Sequence, residues 1–263
     1  MKNSITVILS LLFFFSVKAQ NKDLFEKQLF VVDEDTLPCR ILTPVNFQIG
    51  KKYPLVVFLH GAGERGNDNQ AQLNWGADLF LDSLNRVKFP AIVVFPQCPA
   101  NDKWAEYNKN PNADSTGYVY TADAPMRKSL KLVAQFIDTL LSSGQIDKSR
   151  VYVGGLSMGG FGTYELLWRK PQTFAAAFPI CGAMNPARVN DIRKNLPLWI
   201  FHGDKDPIIY VSNSRLIFNL AKKTNPLARY TEYPGVGHDS WRNAFKEPDL
   251  FPWLFAQKLK SSK

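Results

Sequence analysis

The stretch "VYVGGLSMGGFGTYELL" (residues 151–167) runs from an apolar strand-like segment through clustered glycine into a helix-like pattern, with Ser157 at the bend. Within it, Gly155-Leu156-Ser157-Met158-Gly159 is a G-x-S-x-G pentapeptide, preceded by "RVYV" and followed by a helix beginning near Gly160. A strand-to-helix turn this sharp strains the serine backbone and exposes Oγ at the carboxyl edge of a sheet. It needs glycine on either side because a Cβ there would strike the neighbouring elements. The same turn puts the Met158 N–H at a helix start, where unpaired donors and the helix dipole favour developing negative charge. By itself the pentapeptide also arises in glycine-rich turns that do nothing but turn; its context makes Ser157 a candidate nucleophile.

Outward from this point, uniformly apolar runs recur: "PLVVFLH" (54–60), "AIVVFP" (91–96), "AAFPICG" (176–182), "LWIFHG" (198–203) and "RYTEYPG" (229–235). Amphipathic segments separate most of them, at 124–143 with Leu130, Val133, Ala134, Ile137, Leu140 and Leu141 at helical spacing, and at 160–170 and 211–223. Strands apolar on both faces that alternate with helices predict an α/β protein with a mostly parallel sheet and helices on both faces. Earlier in the chain "QLFVVD" and "CRILTP" read as a short antiparallel pair. The long stretch 97–123 carries Trp104, Tyr107, Tyr118 and Tyr120, and reads either as a cleft lining or as a surface loop folded onto the domain.

Length and composition agree. A chain of 263 residues, 45% hydrophobic and 21% charged, suits one α/β domain. Residues 1–19, with Lys2, an apolar run from Ile5 to Val17 and small residues before Gln20, have the form of a secretory signal peptide. That run is short for a bilayer span, and no cysteine near Gln20 offers a lipid anchor. The expectation is an exported, periplasmic or extracellular protein with a single catalytic domain over 20–263 and no membrane anchor. Net charge is +9, of which Lys2 and Lys18 supply two, leaving +7 on the mature chain. These charges are scattered rather than interleaved with aromatics, which argues against nucleic acid. Cys39, Cys98 and Cys181 lack zinc or redox spacing, and read as buried thiols or as one distant disulfide with an odd cysteine left over.

A serine nucleophile needs a base. Of three histidines, His60 and His202 end apolar strands and precede glycine, as structural histidines do, whereas His238 lies in the glycine-rich loop "YPGVGHDSW". In "FHGDKDPIIY", Asp206 before Pro207 is better placed to reach back to His238 than Asp204 at the turn tip, and Asp239 is too close to its neighbour's ring. The resulting order Ser157, Asp206, His238 is that of α/β-hydrolases, not of chymotrypsin or subtilisin. A second oxyanion donor is expected from Ala62 in "HGAGERG" (60–66), where Gly61 and Gly63 let the main chain approach. Glu64 and Arg65 either touch substrate or form a buried ion pair that holds the loop. Trp241 either packs the base or walls the cleft. With Trp75, Trp104, Tyr107 and Tyr118 it makes either a candidate aromatic substrate lining or part of an ordinary core.

The segments "LHGAGERGNDN", "GLSMGGFGTYELL", "FPICG", "FHGDKD" and "TEYPGVGHDSW" together resemble exported α/β-hydrolases related to esterase D, feruloyl esterases and carbohydrate esterase family 1, in the branch of phospholipase/carboxylesterase-like proteins and predicted peptidases. The resemblance runs from about residue 28 to 257. It implies a carboxylic-ester hydrolase with Ser157, Asp206 and His238 as triad, Ala62 and Met158 as oxyanion donors, and no metal or organic cofactor. A small-molecule or polysaccharide-linked ester is the expected substrate. Three rival readings remain: a prolyl-oligopeptidase-type serine peptidase, an acyltransferase using the same acyl-enzyme, and a non-catalytic binding protein on the same scaffold.

Overall fold

A computed structural model describes residues 21–259 except 111, 113–115 and 122; the signal-peptide expectation lies outside the described residues. One eight-stranded sheet carries the fold. Its strands are β1 (Glu26–Val32), β2 (Asp35–Leu42), β3 (Tyr53–Leu59), β4 (Ile92–Pro96), β7 (Ile146–Leu156), β8 (Ala176–Ile180), β9 (Leu198–Gly203) and β10 (Ala228–Tyr233), in the order β1-β2-β4-β3-β7-β8-β9-β10. From β4 to β10 neighbours pair in parallel, while β1 and β2 form an antiparallel hairpin on the β4 edge. The mostly parallel sheet is the one that the alternating pattern predicts, and its arrangement is the α/β-hydrolase fold that the resemblance implies.

The physical reason is visible in β3. All seven of its residues are buried, yet they serve two cores: Leu55, Val57 and Leu59 join the cluster under α3 (Lys128–Ser142), α4 (Met158–Arg169) and α5 (Ser212–Lys222). Val56 and Phe58 face the opposite cluster, which packs α1 (Ala77–Leu81), α6 (Trp241–Ala244) and α7 (Leu250–Ala256); α2 (Ser83–Lys88) has no buried residue. A strand sandwiched this way has no solvent face to reveal by alternation.

Local chemistry trims the expected elements. The helix expected over 124–143 starts at Lys128, because Pro125 and the extended Arg127 (ψ 146°) hold the chain open. Asp102 then caps it, accepting hydrogen bonds from the Ser129 N–H (3.0 Å) and Oγ–H (2.6 Å). The described residues of 97–123 do more than cross the surface as a loop. It contains the small antiparallel pair β5 (Asn108–Lys109) and β6 (Tyr118–Val119), and Tyr107, Tyr118 and Phe161 pack together there.

The order of β4, β3 and β7 positions the site. The chain runs outward from β3 to β4 and returns to β7 on the other side of β3. The carboxyl ends of β3 and β7 therefore flank a topological switch point, where open α/β sheets place their ligand crevice.

Candidate active site

Ser157 follows the last residue of β7 and precedes the first of α4, with φ 53° and ψ −119°, a region that non-glycine residues rarely adopt. The glycine requirement is met by close backbone packing. A Cβ on Gly155 would come within 2.8 Å of the Leu59 carbonyl oxygen, and one on Gly159 would land on that same carbonyl and 2.8 Å from the oxygen of His60. The elbow is thus pressed against the end of β3. The following loop closes in as well, since a Cβ on Gly61 would lie 3.6 Å from Ser157 Cβ.

Ser157 Oγ lies 2.9 Å from His238 Nε2, and His238 Nδ1 lies 2.7 Å from Asp206 Oδ2. The carboxylate beside Nδ1 assigns the proton to that nitrogen, leaving Nε2 free to accept from the serine hydroxyl. Asp206 is buried and takes further hydrogen bonds from the N–H groups of Ile208 (2.8 Å) and Ile209 (3.0 Å). Burial would raise its pKa, but hydrogen bonds from His202, His238 and Ile209 outweigh that and hold the carboxyl well below the usual carboxylate range. Asp204 instead caps the turn, accepting from the Gly235 N–H at 2.6 Å.

A depressed folded pKa gives stability that is complete above the unfolded value, about 3.9, and lost as pH falls toward the folded one. The urea midpoint of the protein is accordingly expected to drop as pH is lowered below about 4, and Asp206→Asn should flatten that decline. Equal acid slopes in the two proteins would mean that Asp206 is not held ionised.

The structure places Met158 as the first residue of α4 and Ala62 as the first residue of a 3-10 turn (Ala62–Glu64), so neither N–H has an acceptor within its own turn. Glu64 is buried beside Gly61, and burial raises its carboxyl, opposed by hydrogen bonds from the Gly61 and Glu64 N–H groups and the Trp75 indole. The expected Glu64–Arg65 ion pair does not form. Arg65 is exposed and donates to the carbonyls of Ala62 (3.0 Å) and Asp102 (3.3 Å), strapping the loop from outside.

The aromatic expectations separate. Trp241 packs edge-on to His238, with ring centroids 5.5 Å apart, and against Trp75 at 5.7 Å. Both indoles are half-buried, and Arg242 lies over the Trp75 ring. Tyr107 is half-buried and stacked on Phe161, while Tyr118 is buried, its hydroxyl donating to the Ile208 carbonyl at 3.4 Å. Trp104 is a correction. It is wholly buried between β3 and α4, its Nε1–H donating to the His60 carbonyl at 3.0 Å, and it has no surface to give a substrate.

The three cysteines are buried free thiols. Cys181, at φ 40°, follows β8 with its sulfur near the His238–Asp206 pair; the ligand atoms of the three lie within 4.8 Å of one another. Burial pushes this thiol far above its ordinary range and the other two groups already bond each other, so the trio is not a prepared metal cradle. His60 is structural as expected, its Nε2 accepting from the Cys98 N–H at 2.9 Å. His202 also touches Asp206, its Nε2 lying 3.1 Å from Oδ2. The signal was its spacing, four residues before Asp206 in "FHGDKD".

The fold is that of the α/β-hydrolase class. The family model described as phospholipase/carboxylesterase matches residues 44–249, and the chain belongs to that family. Among solved structures, a thermostable esterase superposes with a TM-score of 0.79 at 36% identity, covering 90% of this chain and 64% of that one. The bifunctional acetylxylan esterase/xylanase of Neocallimastix patriciarum is 28% identical over 156 residues, 59% of this chain and 20% of the relative. Lysophospholipase-like protein 1 of Mus musculus is 24% identical over 215 residues, 77% of this chain and 85% of the relative. The chain thus spans one fifth of the xylanase relative and less than two thirds of the thermostable esterase. No helix among the described residues is long and apolar enough to cross a membrane.

Proposed function

We propose that the chain hydrolyses carboxylic esters through an acyl-enzyme on Ser157, with His238 as base and Asp206 as its orienting acid. The observation that carries this reading is the unbroken hydrogen-bonded run from Ser157 Oγ through His238 to Asp206, at 2.9 and 2.7 Å, on a strained strand-to-helix turn. His238 Nε2 takes the hydroxyl proton as Oγ bonds to the ester carbonyl carbon, and the carbonyl electron pair moves onto oxygen. The N–H groups of Ala62 and Met158 hold that oxyanion. Collapse breaks the bond to the alcohol, which leaves with the proton from His238. Water then attacks the acyl-enzyme, gives its proton to His238, and releases the acid as Ser157 recovers its own. The buried negative Asp206 stabilises the imidazolium in both halves. Every proton is accounted for by these residues and water.

For substrate, the proposal extends to acetyl or feruloyl esters of carbohydrates. Support comes from the acetylxylan esterase relative and from the half-buried Trp75–Trp241 pair beside the base, which suits a phenolic ring or a sugar face. Export rests on the pattern of residues 1–19. Purified protein is expected to turn over at least one of p-nitrophenyl acetate, p-nitrophenyl butyrate, methyl ferulate and acetylated xylan. N-terminal sequencing of protein expressed with its leader should find a start near Gln20. Cleavage of aminoacyl anilides with all four esters untouched would replace the esterase reading by a peptidase, and a retained Met1 would remove the leader.

A further inference from the structure

We infer that His202 is a positioning residue for the proposed hydrolysis, holding the Asp206 carboxylate at the angle that serves His238; this rests on the reading of Asp206 as the triad acid. An ionised carboxylate offers about four acceptor sites, and in Asp206 all four are taken. Oδ1 receives Ile208 N–H at 2.8 Å and Ile209 N–H at 3.0 Å. Oδ2 is shared by two imidazoles, His238 Nδ1 at 2.7 Å and His202 Nε2 at 3.1 Å.

His202 can fill that role because its own ring is fixed. Nε2 faces two groups that only accept, Asp206 Oδ2 and the Ile209 carbonyl at 2.8 Å, so this nitrogen carries a proton. Nδ1 lies 2.7 Å from Ser214 Oγ on α5, whose hydroxyl can donate to it. His202, Asp206 and Ser214 are all buried, so water cannot readily stand in for a lost donor. The ring therefore ties the end of β9 and the start of α5 to one oxygen of the acid. Without it the carboxylate keeps its two amide bonds on Oδ1, but nothing except His238 itself fixes where Oδ2 points.

Cys181, Tyr118, Tyr210, Asp239 and Glu232 are other titratable groups near this assembly. Burial pushes Cys181 and Tyr118 upward, and Arg215 beside Glu232 on β10 brings that carboxyl down to about 2. The acid limb of kcat/KM is a readout of the His238–Asp206 couple. Losing His202 lets Asp206 turn from the imidazolium, so the limb moves to lower pH while turnover falls. A role confined to folding would lower the number of active sites and leave the limb in place.

The test compares wild type, His202→Phe, His202→Gln and Ser214→Ala on p-nitrophenyl acetate, with sites counted by fluorophosphonate titration and folding checked by urea unfolding. Misplacing a reacting group by about 1 Å costs on the order of 10²-fold. His202→Phe is expected to approach that loss in kcat per titrated site, with KM within about twofold. His202→Gln, which restores an N–H near the Nε2 position, should recover most of the rate, and Ser214→Ala should fall between them. If His202→Phe does not fold, Ser214→Ala, expected below wild type per site, carries the test. An active wild type whose folded variants match it per site, with an unmoved acid limb, overturns this inference alone; a wild type that neither titrates nor turns over overturns the triad with it.

Discussion

Ser157→Ala is expected to lower kcat on p-nitrophenyl acetate by about 10⁴–10⁶-fold, measured per milligram of folded protein against the wild type. The change removes the attacking oxygen and nothing that holds the site. The loop at Gly61 packs against the Ser157 Cβ position, which alanine keeps, and the glycines pressed onto the end of β3 are untouched. Residual hydrolysis would come from water under the Ala62 and Met158 donors, as it does when a serine hydrolase loses its nucleophile. For the same reason His238→Ala should cost a similar factor, and the double variant little more, because serine and histidine act as one unit. A Ser157→Ala protein within tenfold of wild type would show that the hydrolysis occurs elsewhere.

Gly159→Ala should do more damage to the fold than any change at the triad. Its Cβ would land on the Leu59 carbonyl and 2.8 Å from the His60 oxygen. Both are main-chain atoms at the end of β3, a strand paired on one side to β4 and on the other to β7, so neither can yield locally. Overpacking against flexible side chains costs about 1–3 kcal/mol, and against fixed backbone it should exceed about 3 kcal/mol, a large part of the 5–15 kcal/mol that holds a domain together. The expected result is a lowered urea midpoint or loss of soluble protein. Gly63→Ala is the control, since a Cβ there meets nothing within 4 Å, and it should stay within about 0.5 kcal/mol of wild type. Equal stabilities would mean that α4 does not sit against β3 as closely as described.

These two residues show what the chain disclosed and why. The elbow was legible because G-x-S-x-G sits between a strand-like run and a helix-like pattern, context that the pentapeptide alone does not supply. Asp206 and His238, 32 residues apart, were legible because each follows a strand of a parallel sheet, and parallel strands bring their carboxyl ends to one edge. For Trp104 the sequence left cleft lining and core undecided. Its indole N–H meets the His60 carbonyl across 44 residues, and no local pattern separates that from a half-buried tryptophan such as Trp75. Charge adjacency also misled at Glu64 and Arg65: in the 3-10 turn the acid points inward beside Gly61 and Trp75, and the arginine outward over Ala62. The short helices α1, α2, α6 and α7, of four to seven residues, offer too few turns for a 3.6-residue period to register.

The central claim is that Ser157 Oγ is a nucleophile activated by His238. Treating wild type and His238→Ala protein with an alkyl fluorophosphonate at neutral pH and locating the adduct by peptide mass spectrometry tests it most directly. The account predicts one adduct, on Ser157, formed rapidly in wild type and at least about a hundredfold more slowly without His238, the scale of general-base assistance. Labelling at another residue, or an ester-hydrolysing wild type that takes no label at Ser157, would contradict it.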